Sequence, residues 1–128
     1  MWLSLGSFPE PCPNDQTRHY QTHYIINNEG NQVAKYRKMH MFDAELATMG
    51  GVDVKESAHV KEGSTFTTPC FSPVGYLGLS VSYDIRFPEL YRNLVLNGAQ
   101  VMIVPSAFLA KTGATHWETL LRARAIEN

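Results

Sequence analysis

GLSVSYDIRFPEL, at residues 78–90, decides the fold class of this chain. Its apolar start gives way to small and polar residues, and Pro88 then opens an amphipathic stretch. The pattern is typical of a buried strand that delivers a side chain to a pocket at the mouth of an α/β sheet. The residue delivered is predicted to be Ser82.

The flanking residues extend this stretch into a strand–helix–strand unit. A strand at 77–82 precedes a helix whose first turn suits Pro88, and Gly98 fits the C-cap of that helix. A second strand at 100–104 follows, and the helical crossover predicts that the two strands are parallel. A last helix is predicted at 115–127.

The N-terminal half is predicted to consist of hairpins and loops, which together with the C-terminal half indicates a mixed α/β layered fold. Thr112 or Thr115 is the predicted N-cap of the last helix. The N-terminal predictions are a strand at 2–5, a loop at 7–18, a hairpin at 20–27 and 32–37, an irregular segment at 38–69 that contains Gly50 and Gly51, and a strand pair at 70–75 and 76–82.

Both ends of the sequence look cut. Residues 2–5 form a predicted strand with no preceding element, and the last helix stops without a glycine cap or a following strand. The chain is therefore expected to be one partial domain of a larger fold, covering residues 1–128.

Composition restricts the classes of function. The chain has 128 residues, 44% of them hydrophobic and 18% charged, with a net charge of -1. This balance indicates a globular protein and gives no electrostatic case for nucleic acid or an anionic membrane. No apolar run approaches the ~20 residues of a membrane span. The two cysteines lie far apart, so a reducing cytoplasmic setting is expected, with mitochondria as the alternative.

Ser82 is a candidate nucleophile at the predicted strand end. The backbone N–H groups of Tyr83 and Asp84 would be placed to hold an oxyanion. The G-x-S-x-G signature of serine hydrolases is absent, so a plain strand-end serine is the simpler interpretation. Lys38 follows a strand and could stabilise developing negative charge if it is buried.

Two other features have a functional and a structural interpretation. His116, Trp117 and Glu118 begin the predicted last helix, either with Trp117 in the core or as a wall of a substrate pocket. No cysteine pair accompanies the five histidines, and no glycine-rich phosphate loop occurs, so neither a metal nor a cofactor is expected.

Taken together, several motifs resemble the nitrilase superfamily of carbon–nitrogen hydrolases, and within it the amidase branch that acts on deaminated glutathione. The resemblance is weakest at 44–70. The matching motifs, in chain order, are YRKMHMFD at 36–43, GLSVSYDIRFPEL at 78–90, PSAF at 105–108, TG at 112–113, HWE at 116–118 and LRARAIE at 121–127.

The resemblance implies part of a four-layer α-β-β-α sandwich that forms a homo-oligomer through its outer helices. It also implies a cysteine nucleophile, a glutamate base and a lysine, with a second glutamate that often assists. The positions matched to these roles are Ser82 for the cysteine, Lys38 for the lysine, Glu45 for the second glutamate, Tyr83 for the oxyanion N–H, and Phe108, Trp117 and Glu118 for the pocket lining.

Two departures from the family pattern bear on activity. Ser82 stands at the cysteine position, and the family's base glutamate belongs to a segment that would precede Trp2. An alcohol is much harder to deprotonate than a thiol, so hydrolysis of a small amide is expected to be impaired. The alternatives are a pseudoenzyme or binding module, and a serine hydrolase that uses Ser82.

Overall fold

The computed structural model describes residues 1–45, 47 and 52–128. The Gly50–Gly51 pair of the predicted irregular segment lies outside the described residues. Short 3-10 helices span Glu56–Ala58 and Ser82–Arg86. The strands are β1 Leu3–Pro11, β2 His19–Ile26, β3 Gln32–Arg37, β4 Asp43–Ala44, β5 Val54–Lys55, β6 Cys70–Ser72, β7 Gly75–Leu79 and β8 Val101–Ile103, and the α-helices are α1 Pro88–Leu96 and α2 Ala110–Glu127.

Strands β1, β2 and β3 form an antiparallel sheet in sequence order. The predicted hairpin is confirmed as β2 and β3. The predicted loop at 7–18 is wrong in its first part, because β1 continues to Pro11. β1 is an edge strand, where the missing N–H groups of Pro9 and Pro11 can be tolerated without loss of a ladder bond.

Strands β6, β7 and β8 form the second three-stranded sheet. β6 and β7 are antiparallel, whereas β7 and β8 are parallel, with Leu79 opposite Ile103. Helix α1 connects the parallel pair and starts at Pro88, as predicted. The C-cap of α1 is Asn97 rather than the predicted Gly98, which follows directly with a φ of 96° and an N–H that donates to the Val95 carbonyl at 2.9 Å.

Helix α2 begins five residues earlier than predicted. Its N-cap is Leu109 rather than Thr112 or Thr115. The glycine and threonines at 112–115 have low helix propensity, but packing of Trp117 on Phe108 outweighs that preference. Within the described part of the chain, neither α-helix combines the length and the apolar character that a bilayer crossing requires.

One hydrophobic core joins the two three-stranded sheets. Strand β2 and strand β3 contribute to the same buried cluster as β7 and α1, so the two halves of the chain pack as one body. The buried members are Ile25, Ala34, Tyr36, Leu77, Leu79, Val81, Ile85, Leu90, Tyr91, Leu94 and Ala99.

His23 provides a polar bridge between the sheets. The side chain is fully buried, with Nδ1 3.1 Å from the Ser80 carbonyl oxygen and Nε2 2.8 Å from the Ser4 hydroxyl. A carbonyl can only accept, so Nδ1 carries the proton and Nε2 accepts from Ser4. Both contacts suit the neutral ring, and burial lowers the pKa of His23.

We expect the free energy of unfolding to fall as the pH drops below about 6.5, the unperturbed pKa of histidine. Below that pH the unfolded chain binds a proton at His23 that the folded chain excludes, so stability decreases by up to about 1.4 kcal/mol per pH unit. Urea unfolding between pH 8 and 5 measures the effect. His23→Gln should flatten the profile, whereas His116→Gln, at an exposed position on α2, should leave it unchanged.

Candidate active site

A cavity of about 970 Å3 opens where the end of β7, the segment after β3 and the start of α2 meet. Four residues predicted for the site line it: Lys38, Ser82, Tyr83 and Phe108. The structure thus brings together residues from both halves of the chain, 44 positions apart in the case of Lys38 and Ser82.

Ser82 sits in a left-handed turn at the junction of strand and helix. Its φ is 48°, a conformation that non-glycine residues rarely adopt and that costs about 1–3 kcal/mol. Regular pairing assigns β7 only to Leu79, yet strand-like bonds continue, because the Ser82 N–H donates to the Pro105 carbonyl at 2.9 Å. Such strain is concentrated at functional sites in proteins, where it exposes a reacting side chain.

Asp84 holds this turn from inside the protein. Its carboxylate is fully buried, and Oδ2 accepts the Val81 N–H at 2.9 Å and the Tyr36 hydroxyl at 2.8 Å. Burial and the adjacent carboxylate raise the pKa of Tyr36, so the phenol remains a donor. Oδ1 accepts from His40, through the backbone N–H at 3.1 Å and through Nδ1 at 2.7 Å.

Lys38 is 3% exposed and forms a buried ion pair. Its Nζ lies 2.5 Å and 2.6 Å from the two carboxylate oxygens of Glu56. The Lys38 backbone is fixed as well, since its N–H donates to the Gln21 carbonyl at 2.8 Å and its carbonyl accepts the Gly63 N–H at 2.7 Å. A buried ammonium held in the same cavity as Ser82 can stabilise negative charge that develops on a substrate.

The carboxylate that the structure brings to Lys38 belongs to Glu56, which was not singled out in the sequence. Glu45, the residue expected from the resemblance, follows β4 and is exposed. The structure therefore favours Glu56 over Glu45 as the partner of Lys38. Glu56 lies 18 residues after Lys38 in the stretch where the resemblance is weakest, and no local motif marks it.

Aromatic side chains form one wall of the cavity. The rings of Phe42 and Tyr83 lie 5.0 Å apart, and Phe108 lines the side next to α2. Trp117 supports Phe108 at a ring distance of 5.1 Å. Trp117 and Glu118 are not among the described residues that line the cavity.

Glu118 lies on the exposed face of α2. Its Oε1 accepts from Arg122 Nε at 2.8 Å, one helical turn away, and both side chains are more than 70% exposed, at 75% and 72%. A pair of this kind is screened by solvent. The structure thus gives Glu118 a position on the exposed surface of α2.

Arg86 and Lys55 line the cavity together with one further carboxylate, that of Asp53, whereas Glu56 is paired with Lys38. The Arg86 guanidinium lies 5.7 Å from the centre of the ring of Tyr83, the residue that follows Ser82. An excess of positive side chains of this kind favours an anionic ligand. Among the residues that the structure describes, no group of three or more metal-ligating side chains occurs.

Comparison with known sequences identifies similar proteins. The family model described as Carbon-nitrogen hydrolase matches residues 1–128. A deaminated glutathione amidase from Dictyostelium discoideum is 52% identical over 131 residues, covering 100% of this chain and 44% of that protein. The nitrilase and fragile histidine triad fusion protein NitFhit of Caenorhabditis elegans is 48% identical, with 100% and 29% covered. The chain thus spans less than half the length of these relatives.

Solved structures show the same fold. The crystal structure of C. elegans NitFhit matches with a TM-score of 0.91 and 47% identity, covering 99% of this chain and 30% of that one. A mutant of the amidase from Nesterenkonia sp. AN1 matches with a TM-score of 0.78 and 28% identity, covering 100% and 45%. In that amidase, acrylamide has added to the active-site cysteine. These matches confirm the α/β fold class predicted from the sequence.

Proposed function

Because this chain belongs to the carbon–nitrogen hydrolase family, we propose that its cavity binds a small carboxylate-bearing amide. We further propose that Ser82, at the family's cysteine position, makes the chain an amidase of greatly reduced activity. One observation carries the proposal: a side chain in a strained left-handed turn shares a cavity with a buried lysine–glutamate pair. The geometry suits acyl transfer, but the side chain at position 82 carries a hydroxyl oxygen instead of the thiol sulfur of a cysteine.

The proposed substrate class is an amide of the deaminated glutathione type. Relatives from several organisms are named for that activity. Deaminated glutathione combines an amide bond with carboxylates, which match the basic lining contributed by Arg86 and Lys55. An aromatic wall of Phe42 and Tyr83 supplies the apolar surface that small-molecule sites usually offer.

In the reaction, the nucleophile at position 82 attacks the amide carbonyl carbon, and the carbonyl electron pair moves to the oxygen. The Tyr83 N–H and the Lys38 ammonium would stabilise that oxyanion. The C–N bond then breaks, the amine takes up a proton, and water hydrolyses the resulting ester or thioester. The attack requires that the proton on the nucleophile be transferred to a base, and the departing amine then takes up a proton.

Transfer of the proton from a serine hydroxyl is unfavourable at this site. Both oxygens of Glu56 contact the Lys38 ammonium, and Oε2 also accepts the Phe42 N–H at 2.6 Å. A carboxylate so engaged is a poor acceptor for an alcohol proton, whereas a thiol of pKa ~8.5 ionises far more readily. Binding is therefore expected to persist while turnover is lost, which connects this proposal with the pseudoenzyme alternative.

Ser82→Cys tests the proposal. We expect the introduced thiol to hydrolyse deaminated glutathione at least ~100-fold faster than the serine, with both residues compared in a chain that includes the base glutamate implied by the family resemblance, since loss of a nucleophile costs several orders of magnitude. Release of the amine product measures the rate. Ser64→Cys, at an exposed loop position, is the matched control and should change nothing.

Two results would contradict the proposal. Isothermal titration calorimetry that detects no binding of deaminated glutathione to the serine chain would exclude the substrate class. Equal rates for Ser82→Cys and Ser64→Cys would exclude a cavity prepared for acyl transfer. Mass spectrometry after incubation with an activated ester addresses the serine hydrolase alternative, because that alternative requires an acyl group on Ser82.

A further inference from the structure

We propose that His40 and Asp84 are positioning residues that hold the Ser82 turn against the Lys38 segment, and thereby set the reactivity of a nucleophile at position 82. The inference rests on the function proposed above. His40 and Asp84 would not touch the substrate carbonyl themselves. Their contacts would keep in place the groups that do.

The first step concerns the four donors that converge on Asp84. The Val81 N–H and the Tyr36 hydroxyl bind Oδ2, on the side of the Ser82 turn and of β3. The His40 backbone N–H and ring Nδ1 bind Oδ1. One buried carboxylate therefore joins the residue before Ser82 to the segment that carries Lys38.

The second step concerns residues 38–42, which lie between two carboxylates. Lys38 Nζ and the Phe42 N–H bind Glu56, whereas His40, midway between them, binds Asp84. Glu56 belongs to the 3-10 helix after β5 and makes none of these bonds to the Ser82 turn. Loss of the His40 ring contact would thus leave the Lys38–Glu56 pair intact but weaken the connection between the Ser82 turn and the segment that carries Lys38.

The third step concerns the orientation of the His40 ring. It stacks on Phe87 at a centroid distance of 3.7 Å and an interplanar angle of 10°. Phe87 follows the Ser82–Arg86 helix directly and is the N-cap residue of α1. The His40 ring is therefore held by Asp84, in the middle of the Ser82–Arg86 helix, and by Phe87, directly after it. These two contacts fix Nδ1 toward Asp84.

The test uses thiol reactivity in the Ser82→Cys chain, with acrylamide as the probe because it is both an amide and an electrophile. Adding His40→Leu should lower the alkylation rate of the introduced thiol by roughly ten- to a hundred-fold, the effect of a displacement near 1 Å. Adding His40→Asn should keep most of the rate, since the asparagine amide N–H can take the place of Nδ1–H. Asp84→Asn should resemble His40→Leu, because an amide cannot accept from all four donors.

Cys12 provides an internal reference for general loosening. It is buried, at 6% exposure, so its alkylation reports opening of the fold. We expect His40→Leu to slow alkylation of the thiol at position 82 and to leave alkylation of Cys12 unchanged. We expect His40→Asn to keep most of the rate at position 82. Equal effects of His40→Leu and His40→Asn, or a change at Cys12 that parallels the change at position 82, would overturn the positioning role.

The two proposals fail in different ways. If the thiol of Ser82→Cys reacts no faster than that of Ser64→Cys, the site is not prepared for acyl transfer and both proposals are wrong. If it reacts faster and His40→Leu keeps that advantage, only the positioning role is wrong.

Discussion

Lys38→Met will lower the free energy of unfolding by about 3–5 kcal/mol, the usual result of removing one partner of a buried ion pair. The ammonium is 3% exposed and contacts both oxygens of Glu56, whose side chain is 18% exposed. Without Lys38, the largely buried Glu56 carboxylate loses both contacts with the ammonium, and the Phe42 N–H is its remaining donor among the described residues. Urea unfolding at pH 7 measures the change.

The double variant Lys38→Met/Glu56→Gln tests whether the loss of stability comes from the unpaired charge of Glu56. Glutamine removes the stranded charge and still offers an oxygen to the Phe42 N–H, so we expect most of the lost stability to return. If the double variant is instead as unstable as the sum of the two single variants, the two groups are not coupled and the ion pair does not explain the loss.

Gly63→Ala will lower the free energy of unfolding by about 1–3 kcal/mol, the range for overpacking a filled site. A Cβ at position 63 would lie 2.3 Å from the Arg37 carbonyl oxygen and 2.9 Å from the Arg37 carbonyl carbon. These are backbone atoms at the end of β3, so they cannot move aside as a side chain does. The Gly63 N–H also donates to the Lys38 carbonyl, so the displacement would reach the site.

Gly113→Ala is the matched control, with the opposite sign. Gly113 lies within α2, and its added Cβ would meet only the Phe108 Cβ at 3.4 Å. We expect this exchange to raise the free energy of unfolding by about 0.5–1 kcal/mol, because alanine favours the helix. If both exchanges shift the urea midpoint in the same direction, contact with the Arg37 backbone does not decide the effect at position 63.

The second half of the chain was predicted well from sequence because its signals are local. Pro88 begins α1, Gly98 lies in a left-handed conformation just after its C-cap, and the apolar run before Ser82 contributes to β7. The first half was predicted less well. Pro9 and Pro11 indicated a loop, yet they lie in an edge strand that needs fewer backbone donors.

The candidate site was only partly predictable for a related reason. Lys38, Ser82 and Tyr83 lie in motifs, and all three line the cavity. Glu56 carries no motif and is recognised only when the fold places it on Lys38. The His40–Asp84 contact joins residues 44 positions apart, a separation at which a single sequence gives no signal.

The order of the strands has a consequence for how the protein folds. In each three-stranded sheet, neighbours in space are neighbours in sequence, so the antiparallel pairs can form from local contacts, while the parallel pair β7 and β8 also needs the α1 crossover. The bonds between the sheets, such as His23 to Ser80 and Tyr36 to Asp84, span 57 and 48 residues and require that both sheets exist. The Ser82 turn and the Lys38 segment therefore meet only when the two sheets dock. We expect assembly of the cavity to coincide with this docking step, and thiol reactivity at position 82 would serve as a kinetic probe of it.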